Sequence, residues 1–284
     1  MWLAYAAGSA LLAGATAVLA KCGIRRTDST VATAIRTVVV LACAWGMTVV
    51  TGSHRMLSGL DERTLVLLAL SGLATGGSWL CYFRALQLGP IHQVAAVDKS
   101  SVIVTVVLAW LLLGEPVSPG KAAGLAVMGA GTWLMVWERG RAFGRPGPWL
   151  AYAAGSALFA ALTAILGKLG MAGVESNLGT ALRTAVVLVL AWGMVFLTGK
   201  QHTLRAIPPG ELGFLCLSGL ATGGSWLCYY RALQEGPASV VVPVDKLSIL
   251  VTVAFSALVL HERLERRGAV GLALVTAGTL LMLL

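Results

Sequence analysis

Charged side chains are scarce in this sequence. Asp, Glu, Lys and Arg make up 12% of its 284 residues, whereas apolar residues make up 57% and the mean hydropathy is +0.84. A single soluble core cannot bury that much apolar surface, so the composition indicates an integral membrane protein. Acidic residues are scarcer than basic ones, with 12 Asp and Glu against 21 Lys and Arg. The basic residues are nevertheless scattered singly and form no stripe that would bind nucleic acid.

The sequence also lacks the patterns that accompany disulfides, metals and catalysis. Its five cysteines include no Cys-x-x-Cys pair and no Cys/His ligand spacing. It contains no P-loop, no Gly-x-Ser-x-Gly and no paired catalytic carboxylates, and His261-Glu262-Arg263 does not continue as a zinc-binding His-Glu-x-x-His. We therefore expect no enzymatic activity, no metal and no cofactor.

What the chain does contain is an internal repeat. Residues 2–137 recur at 149–284, shifted by 147 positions without insertion or deletion, and about half of the aligned positions are identical. The segment 71–82 reappears unchanged as 218–229. The sequence therefore predicts one repeat at 1–137, a linker at 138–148 and a second repeat at 149–284.

Each repeat holds five apolar runs that are long enough to cross a bilayer, because a hydrocarbon core of roughly 30 Å needs about 20 residues of helix. A repeat with an odd number of crossings must lie upside down relative to its copy, which is typical of transporters. The fold prediction is therefore all-α, with ten transmembrane helices in two inverted five-helix repeats. The predicted spans are 2–20, 30–50, 64–83, 93–113, 119–137, 149–167, 178–198, 211–231, 239–260 and 267–284.

Loop charge predicts the orientation of the spans. The loops that follow the odd-numbered spans carry about twelve Lys and Arg, against about five on the opposite side. Because cytoplasmic loops are the more basic ones, the linker should be cytoplasmic and both termini should lie outside.

Ionisable residues inside the predicted spans are the candidate site. Burying a charge in a membrane costs a few kcal/mol or more, so residues of this kind usually have a function. Arg36 lies about six residues into the second span, and Asp98 and Lys99 lie at a similar depth in the fourth. The excess of positive charge favours an anionic or carboxylate-bearing solute at each membrane face. The residues expected to bind it are Arg36 and Lys99 with their copies Arg183 and Lys246.

The two aspartates leave two interpretations open. Asp98 and Asp245 are too short to reach the headgroups, so each must pair with a cation or face water. A carboxyl group shielded from water can exchange a proton near neutral pH, which would make these residues proton- or sodium-coupling sites. The alternative is a permanent ion pair across helices, Asp98 with Arg36 and Asp245 with Arg183, which would leave Lys99 free.

Two further features of the spans bear on the site. Trp79 and Tyr82, with their copies Trp226 and Tyr229, follow a stripe of small residues and are expected either to stack on a substrate or to form an interfacial aromatic belt. Pro243, which Ala96 replaces in the first copy, predicts an interruption of the ninth span, and interrupted helices often line transport cavities.

The strings that carry a family resemblance lie in the second repeat. They are Ser-Gly-Leu-Ala-Thr-Gly-Gly-Ser-Trp-Leu-Cys-Tyr-Tyr-Arg-Ala-Leu-Gln-Glu-Gly-Pro at 218–237, Val-Val-Pro-Val-Asp-Lys-Leu-Ser at 241–248, and Leu260-His261-Glu262. The sequence resembles the EamA family of the drug/metabolite transporter superfamily, with one unit in each half. The resemblance implies a ten-helix inverted-repeat exporter or exchanger, a central cavity enclosed by spans 1–4 and 6–9, and cytoplasmic termini, which the loop charge opposes.

Together these features favour a multi-pass secondary transporter for a small metabolite or drug in a bacterial plasma membrane. We expect alternating access, proton or sodium coupling, and a monomer or homodimer. Its partners would be a small-molecule substrate and the lipid bilayer, without nucleic acid. Two alternatives stay open: a flippase for a lipid-linked sugar or similar amphipathic carrier, and a membrane scaffold that transports nothing.

Overall fold

The computed structural model describes residues 2–114, 117–136, 147–170, 174–235, 247–261 and 265–282, and every regular element within these ranges is a helix. Two 3₁₀ helices, Ser53–Gly59 and Lys200–Ala206, follow the second helix of each repeat. The α-helices are α1 (Trp2–Gly23), α2 (Ser29–Val50), α3 (Glu62–Leu88), α4 (Ile91–Lys99), α5 (Ser101–Leu113), α6 (Pro119–Val136), α7 (Pro148–Gly170), α8 (Ser176–Leu197), α9 (Pro209–Glu235), α10 (Ser248–Val259) and α11 (Arg266–Leu281).

Seven helical stretches of the described residues are long and apolar enough to cross a membrane. They are α1, α2, α3, the combined stretch Ile91–Leu112, and most of α7, α8 and α9, and α10 is a shorter apolar helix. Large apolar side chains cover the outer surface; Val50 and its copy Leu197 are 87% and 85% exposed. Such an exterior suits lipid and not water, so the all-helical membrane fold is confirmed, whereas the count of ten spans stays a prediction.

The fourth predicted span is interrupted directly after the candidate residues Asp98 and Lys99. α4 ends at Lys99. The hydroxyl of the next residue, Ser100, donates a hydrogen bond to the carbonyl oxygen of Val97, in the last turn of α4, at 2.6 Å. In the second repeat Leu247, the copy of Ser100, occupies the same position before α10 with φ −65° and ψ −6°. The interruption therefore occurs in the first repeat without a proline, which the sequence did not predict; Pro243 lies outside the described residues.

The two repeats pack against each other by exchanged contacts. The Ser9 hydroxyl lies 3.1 Å from the Ser225 hydroxyl, and the corresponding pair, Ser156 and Ser78, is separated by 3.2 Å. Each contact between α1 and α9 thus has an equivalent between α7 and α3, as in a two-fold interface where the same patches meet twice. The interface buries hydroxyl groups in mutual hydrogen bonds, which removes the cost of leaving them unpaired.

A second exchanged pair gives the direction of these helices. Thr16 lies 3.3 Å from Thr222, and the corresponding residues Thr163 and Thr75 lie 3.2 Å apart. Along α1 the contacts run from Ser9 to Thr16, while along α9 they run backwards from residue 225 to residue 222. α1 is therefore antiparallel to α9, and α3 is antiparallel to α7.

α6 and α11 form a separate pair that depends on glycine. A Cβ built on Gly131 would lie 2.6 Å from the carbonyl oxygen of Gly271, and a Cβ on Gly278 would lie 2.7 Å from that of Gly124. Gly271 and Gly278 are themselves the copies of Gly124 and Gly131. The backbones of these two helices touch, which only glycine permits at such a crossing.

One end of the bundle is fastened by polar contacts between the repeats, which we call the inter-repeat latch (Arg26, Thr27, Asp28, Lys200 and Glu211). The buried Glu211 carboxylate accepts from the backbone N–H groups of Arg26 and Thr27 at 3.0 and 2.8 Å and from the Thr27 hydroxyl at 2.6 Å. Lys200 donates to Asp28 at 2.8 Å. Partial burial raises the pKa of Asp28, but the hydrogen bonds from Lys200 and Thr30 outweigh it and hold that pKa below its ordinary value.

Replacing Glu211 by alanine should lower the free energy of unfolding by about 1–3 kcal/mol, because two backbone N–H groups would lose their acceptor in a buried place. Thermal unfolding in detergent measures the change. The control is Glu62→Ala, which removes an exposed carboxylate from the first turn of α3. Equal melting temperatures for the two variants would contradict a stabilising role for the latch.

Candidate functional site

A cavity of ≈ 290 Å³ lies between the two repeats. Its described lining comes from α1, α2, α3 and α4 of the first repeat and from α7 and α9 of the second, so neither repeat forms it alone. It contains polar, charged and aromatic side chains within an otherwise apolar bundle. The lining residues are Ala13, Thr16, Ala17, Arg36, Ser78, Trp79, Tyr82, Phe83, Asp98, Lys99, Ala160, Thr222, Ser225 and Trp226.

Arg36 is the most deeply buried charge of the cavity, with 3% of its surface exposed. Its Nε donates to the Ser218 hydroxyl at 3.0 Å and its Nη2 donates to the Thr222 hydroxyl at 2.6 Å. The remaining nitrogen, Nη1, is buried and has no hydrogen-bond partner in the part of the chain that the structure describes. Buried donors are nearly always satisfied, so an unsatisfied nitrogen on a buried cation indicates a place for an acceptor that the chain does not supply.

Two aromatic rings hold the guanidinium plane of Arg36. Its central carbon lies 5.0 Å from the ring centre of Trp79 and 4.6 Å from that of Phe83. Cation–π contacts of this kind stabilise a partly desolvated guanidinium without neutralising it. Arg36 is thus oriented by α3 and α9 but keeps its charge.

The ion pair considered between Arg36 and Asp98 is absent from the described part of the chain. The Asp98 carboxylate instead accepts from the Ser156 hydroxyl at 3.1 Å, and the Ser156 hydroxyl in turn lies 3.2 Å from that of Ser78. The reason is geometric: α9 supplies hydroxyl acceptors to Arg36, whereas Asp98 faces α7. The positive charge of Arg36 is therefore left available to the cavity.

The other candidates of the first repeat also line the cavity. Lys99 is half-buried beside Asp98, and Tyr82 lies on the same helix as Trp79. Trp79 and its copy Trp226 meet across the interface, with ring centres 6.4 Å apart and planes tilted by 38°. The structure thus places these aromatic residues inside the bundle and not in a belt at its surface.

The second repeat contributes fewer of the predicted site residues to the described cavity lining than the first repeat does. Arg183 lies outside the cavity lining and donates to the Thr75 hydroxyl at 3.1 Å, and Tyr229 packs in a small cluster with Trp2, Ala6 and Ala232. The remaining candidates, Asp245 and Lys246, lie outside the described residues, as does the side chain of Lys168 at the end of α7. The described residues therefore bring together the charges of one repeat only.

The residues that orient the charges were not predicted from the sequence. Ser218 and Thr222 bind Arg36, Ser156 binds Asp98, and Phe83 packs on the guanidinium. One signal was present: Ser218, Thr222 and Ser225 recur at spacings of four and three residues, which puts three hydroxyl groups on one face of an apolar helix. No comparable pattern identifies Ser156 or Phe83.

An apolar helical bundle with a charged cavity between two repeats is the architecture of a multi-pass membrane transporter. The family model of the EamA-like transporter family matches residues 1–137 and 147–284. The chain belongs to this family, so it is a membrane transporter, and its substrate would bind within the membrane. In the described residues no group of three His, Cys, Asp or Glu side chains could hold a metal ion.

Two relatives each match less than half of this chain. A protein of Sinorhizobium sp. described as an uncharacterized transporter in the cobO 3′ region is 45% identical over 134 residues, which cover 47% of this chain and 95% of that protein. An uncharacterized protein of Methanocaldococcus jannaschii is 42% identical over 97 residues, which cover 34% of this chain and 64% of that protein. A crystal structure shares the fold over 97% of this chain and 94% of its own, with a TM-score of 0.67 and 19% identity.

Proposed function

We propose that this protein is a secondary transporter that moves a small anionic or carboxylate-bearing metabolite or drug across a bacterial plasma membrane by alternating access. The observation that carries the proposal is the buried Arg36, whose Nη1 has no partner and which lines a cavity between the repeats. An anionic oxygen at this nitrogen would satisfy both the donor and the charge. The cavity lies at the lower end of the ~300–1,000 Å³ range of ligand pockets, which favours a small solute over a lipid carrier.

Inversion of the two repeats is supported by the direction of the paired helices. α3 is antiparallel to α7, which is the copy of α1. If every helix of the first repeat crosses the membrane once, α1 and α3 run in the same direction because one crossing separates them. α7 then runs opposite to α1, and the second repeat is upside down relative to the first.

Rocking of one repeat against the other is supported by a difference between the two ends of the bundle in the polar contacts that join the repeats. The inter-repeat latch ties the α1–α2 loop to α9 through Glu211 and to the second 3₁₀ helix through Lys200. At the equivalent positions of the other end the sequence has Thr64 and Ser53, which cannot form the same charged contacts. The bundle would therefore be closed at the latch and would open there by breaking these contacts.

Coupling to protons is proposed for Asp98 and its copy Asp245. Asp98 lines the cavity, is not neutralised by Arg36, and is linked through the Ser156 hydroxyl to the Ser78 hydroxyl by contacts of 3.1 and 3.2 Å. Such hydroxyl groups can both donate and accept, so they can carry a proton to or from the carboxylate. A sodium ion bound at the same carboxylate is the alternative coupling ion.

The variant Asp98→Asn with Asp245→Asn is expected to fold normally and to lose flux driven by a pH gradient, because the amides cannot take up a proton. Flux is measured in proteoliposomes with an imposed pH or sodium gradient, after a thermal-shift ligand screen has identified the transported solute. Asp61→Asn, at the exposed start of α3, is the matched control. Undiminished pH-driven flux in the double variant would disprove proton coupling, and flux that follows only the sodium gradient would assign the site to sodium.

A further inference from the structure

The described residues that line the cavity carry a defined formal charge. Among the described residues that line it, Arg36 and Lys99 are cationic and Asp98 is anionic, so its formal charge is +1. Asp98 does not cancel Arg36, since its carboxylate accepts from Ser156 and the guanidinium donates to hydroxyl groups of α9. A buried site is complemented by a ligand whose charge balances its own, because uncompensated charge in a low-dielectric place is costly.

The donors limit how that ligand is held. Two of the three guanidinium nitrogens of Arg36 already donate to Ser218 and Thr222, and only Nη1 is unsatisfied. Because each Nη carries two N–H groups, both N–H groups of Nη1 and one of Nη2 are left, so Arg36 can still offer a carboxylate the two-nitrogen fork of Nη1 and Nη2. The Lys99 ammonium is the other cation of the described lining and can bind the same carboxylate.

The aromatic walls of the cavity determine which uncharged part of a ligand fits beside its anionic group. Four aromatic rings line it, those of Trp79, Tyr82, Phe83 and Trp226. Phe83 is buried against Arg36, while Trp79 and Trp226 meet from opposite sides of the interface between the repeats. Aromatic rings bind flat apolar groups by stacking or edge-to-face contact, in addition to the area they bury.

We propose that the cavity selects a singly charged organic anion with a flat apolar body, an arylalkyl monocarboxylate in the simplest case, and that Asp98 and Lys99 set this charge selectivity. The inference rests on the proposed transport function and names its substrate class. A zwitterion would bring a positive charge that the cavity already has in excess, and a dianion would bring one negative charge too many. Both lose affinity although their aromatic group is the same.

Four probes with the same phenyl group separate these classes: phenylacetate, phenylalanine, phenylsuccinate and phenethylamine. Binding to the purified protein is measured by calorimetry and by quenching of tryptophan fluorescence, to which Trp79 and Trp226 contribute as two of the nine tryptophans. We expect phenylacetate to bind at least about tenfold more tightly than the other three. Equal or tighter binding of phenylalanine or phenylsuccinate, or binding of none of the four, would overturn the proposal.

Charge variants test whether Asp98 and Lys99 set the selectivity. Asp98→Asn raises the formal charge to +2 and should shift the preference from phenylacetate to phenylsuccinate; Lys99→Gln lowers it to zero and should shift it to phenylalanine. Each change is nearly isosteric, and the asparagine oxygen can still accept from Ser156. The measured quantity is the ratio of two affinities, which partial misfolding leaves unchanged. Ratios that stay within about twofold of the wild type in both variants would refute the assignment.

Matched controls and a flux measurement complete the test. Asp61→Asn and Lys121→Gln make the same chemical changes outside the cavity and should leave the ratios as they are. Flux of phenylalanine without flux or binding of phenylacetate would overturn the selectivity while retaining the transport function. Selective phenylacetate binding without flux of any solute would retain the selectivity and overturn the transport function.

Discussion

Arg36→Gln should weaken phenylacetate binding at least about thirtyfold, since removing one partner of a buried charge pair costs ~2 kcal/mol or more. The free protein should lose little stability. Ser218 and Thr222 accept from Arg36, but their own hydroxyl protons are donated to the carbonyl oxygens of Thr16 and Ser218 respectively, so no donor is orphaned. Removal of a buried, incompletely paired charge can even stabilise a protein, as functional sites often show.

Arg36→Lys is the informative companion to this variant. A lysine keeps the charge, but its ammonium cannot occupy the planar place between Trp79 and Phe83 and also reach both hydroxyl acceptors. We therefore expect lysine to restore little of the affinity. Arg63→Gln, at the exposed start of α3, is the control for a lost arginine charge. Full binding in Arg36→Lys would show that charge alone is sufficient, and full binding in Arg36→Gln would remove Arg36 from the site.

Gly131→Val should separate α6 from α11 and lower the free energy of unfolding by about 1–3 kcal/mol or more. A Cβ at this position would lie 2.6 Å from the carbonyl oxygen of Gly271 and 2.6 Å from the amide nitrogen of Val275. Both are backbone atoms of a packed helix, so they cannot move aside as a flexible side chain could. Thermal unfolding in detergent gives the size of the effect.

Gly46→Val is the matched control for the glycine variant. Gly46 lies on the exposed face of α2, and a Cβ there would meet nothing within 4 Å. Its substitution should leave the melting temperature almost unchanged, because valine is tolerated in a helix that faces lipid. If the two variants melted alike, the effect would arise from the loss of glycine in a helix and not from the contact between α6 and α11.

Local sequence patterns predicted the helices well where apolar runs are long. α2 and α8 begin within two residues of the predicted spans, and their N-caps Asp28 and Glu175 are equivalent positions of the two repeats. α3 and α9 extend beyond the predicted spans to 27 residues each, because their ends carry charged and polar residues that hydropathy excludes. The interruption at Ser100 was not foreseen, since serine and its neighbours contain no helix-breaking residue.

The candidate site was predicted by residue type and corrected in its pairing. Arg36, Asp98 and Lys99 come together in the cavity, as their similar depth within the spans had suggested, and Trp79 and Tyr82 line it with them. One of the two interpretations paired Arg36 with a carboxylate, and its partners in the structure are hydroxyl groups of the other repeat. Hydroxyl groups occur throughout this sequence, so spacing alone could not show which of them meet a charge on another helix.

The sequence by itself determined the membrane fold, the family and the repeat, because apolar runs and a 147-residue shift are properties of the chain that need no coordinates. Only the tertiary structure decided how the repeats differ. About half of the positions related by the repeat are identical, and Arg36 and Arg183 are such a pair, yet Arg36 lines the cavity and Arg183 does not. Equivalent helices pack beside both arginines, since Arg36 donates to Thr222 and Arg183 donates to its copy Thr75. The physical reason for the difference is that the space for a cavity depends on how the two repeats pack against each other, which the sequence of neither repeat specifies.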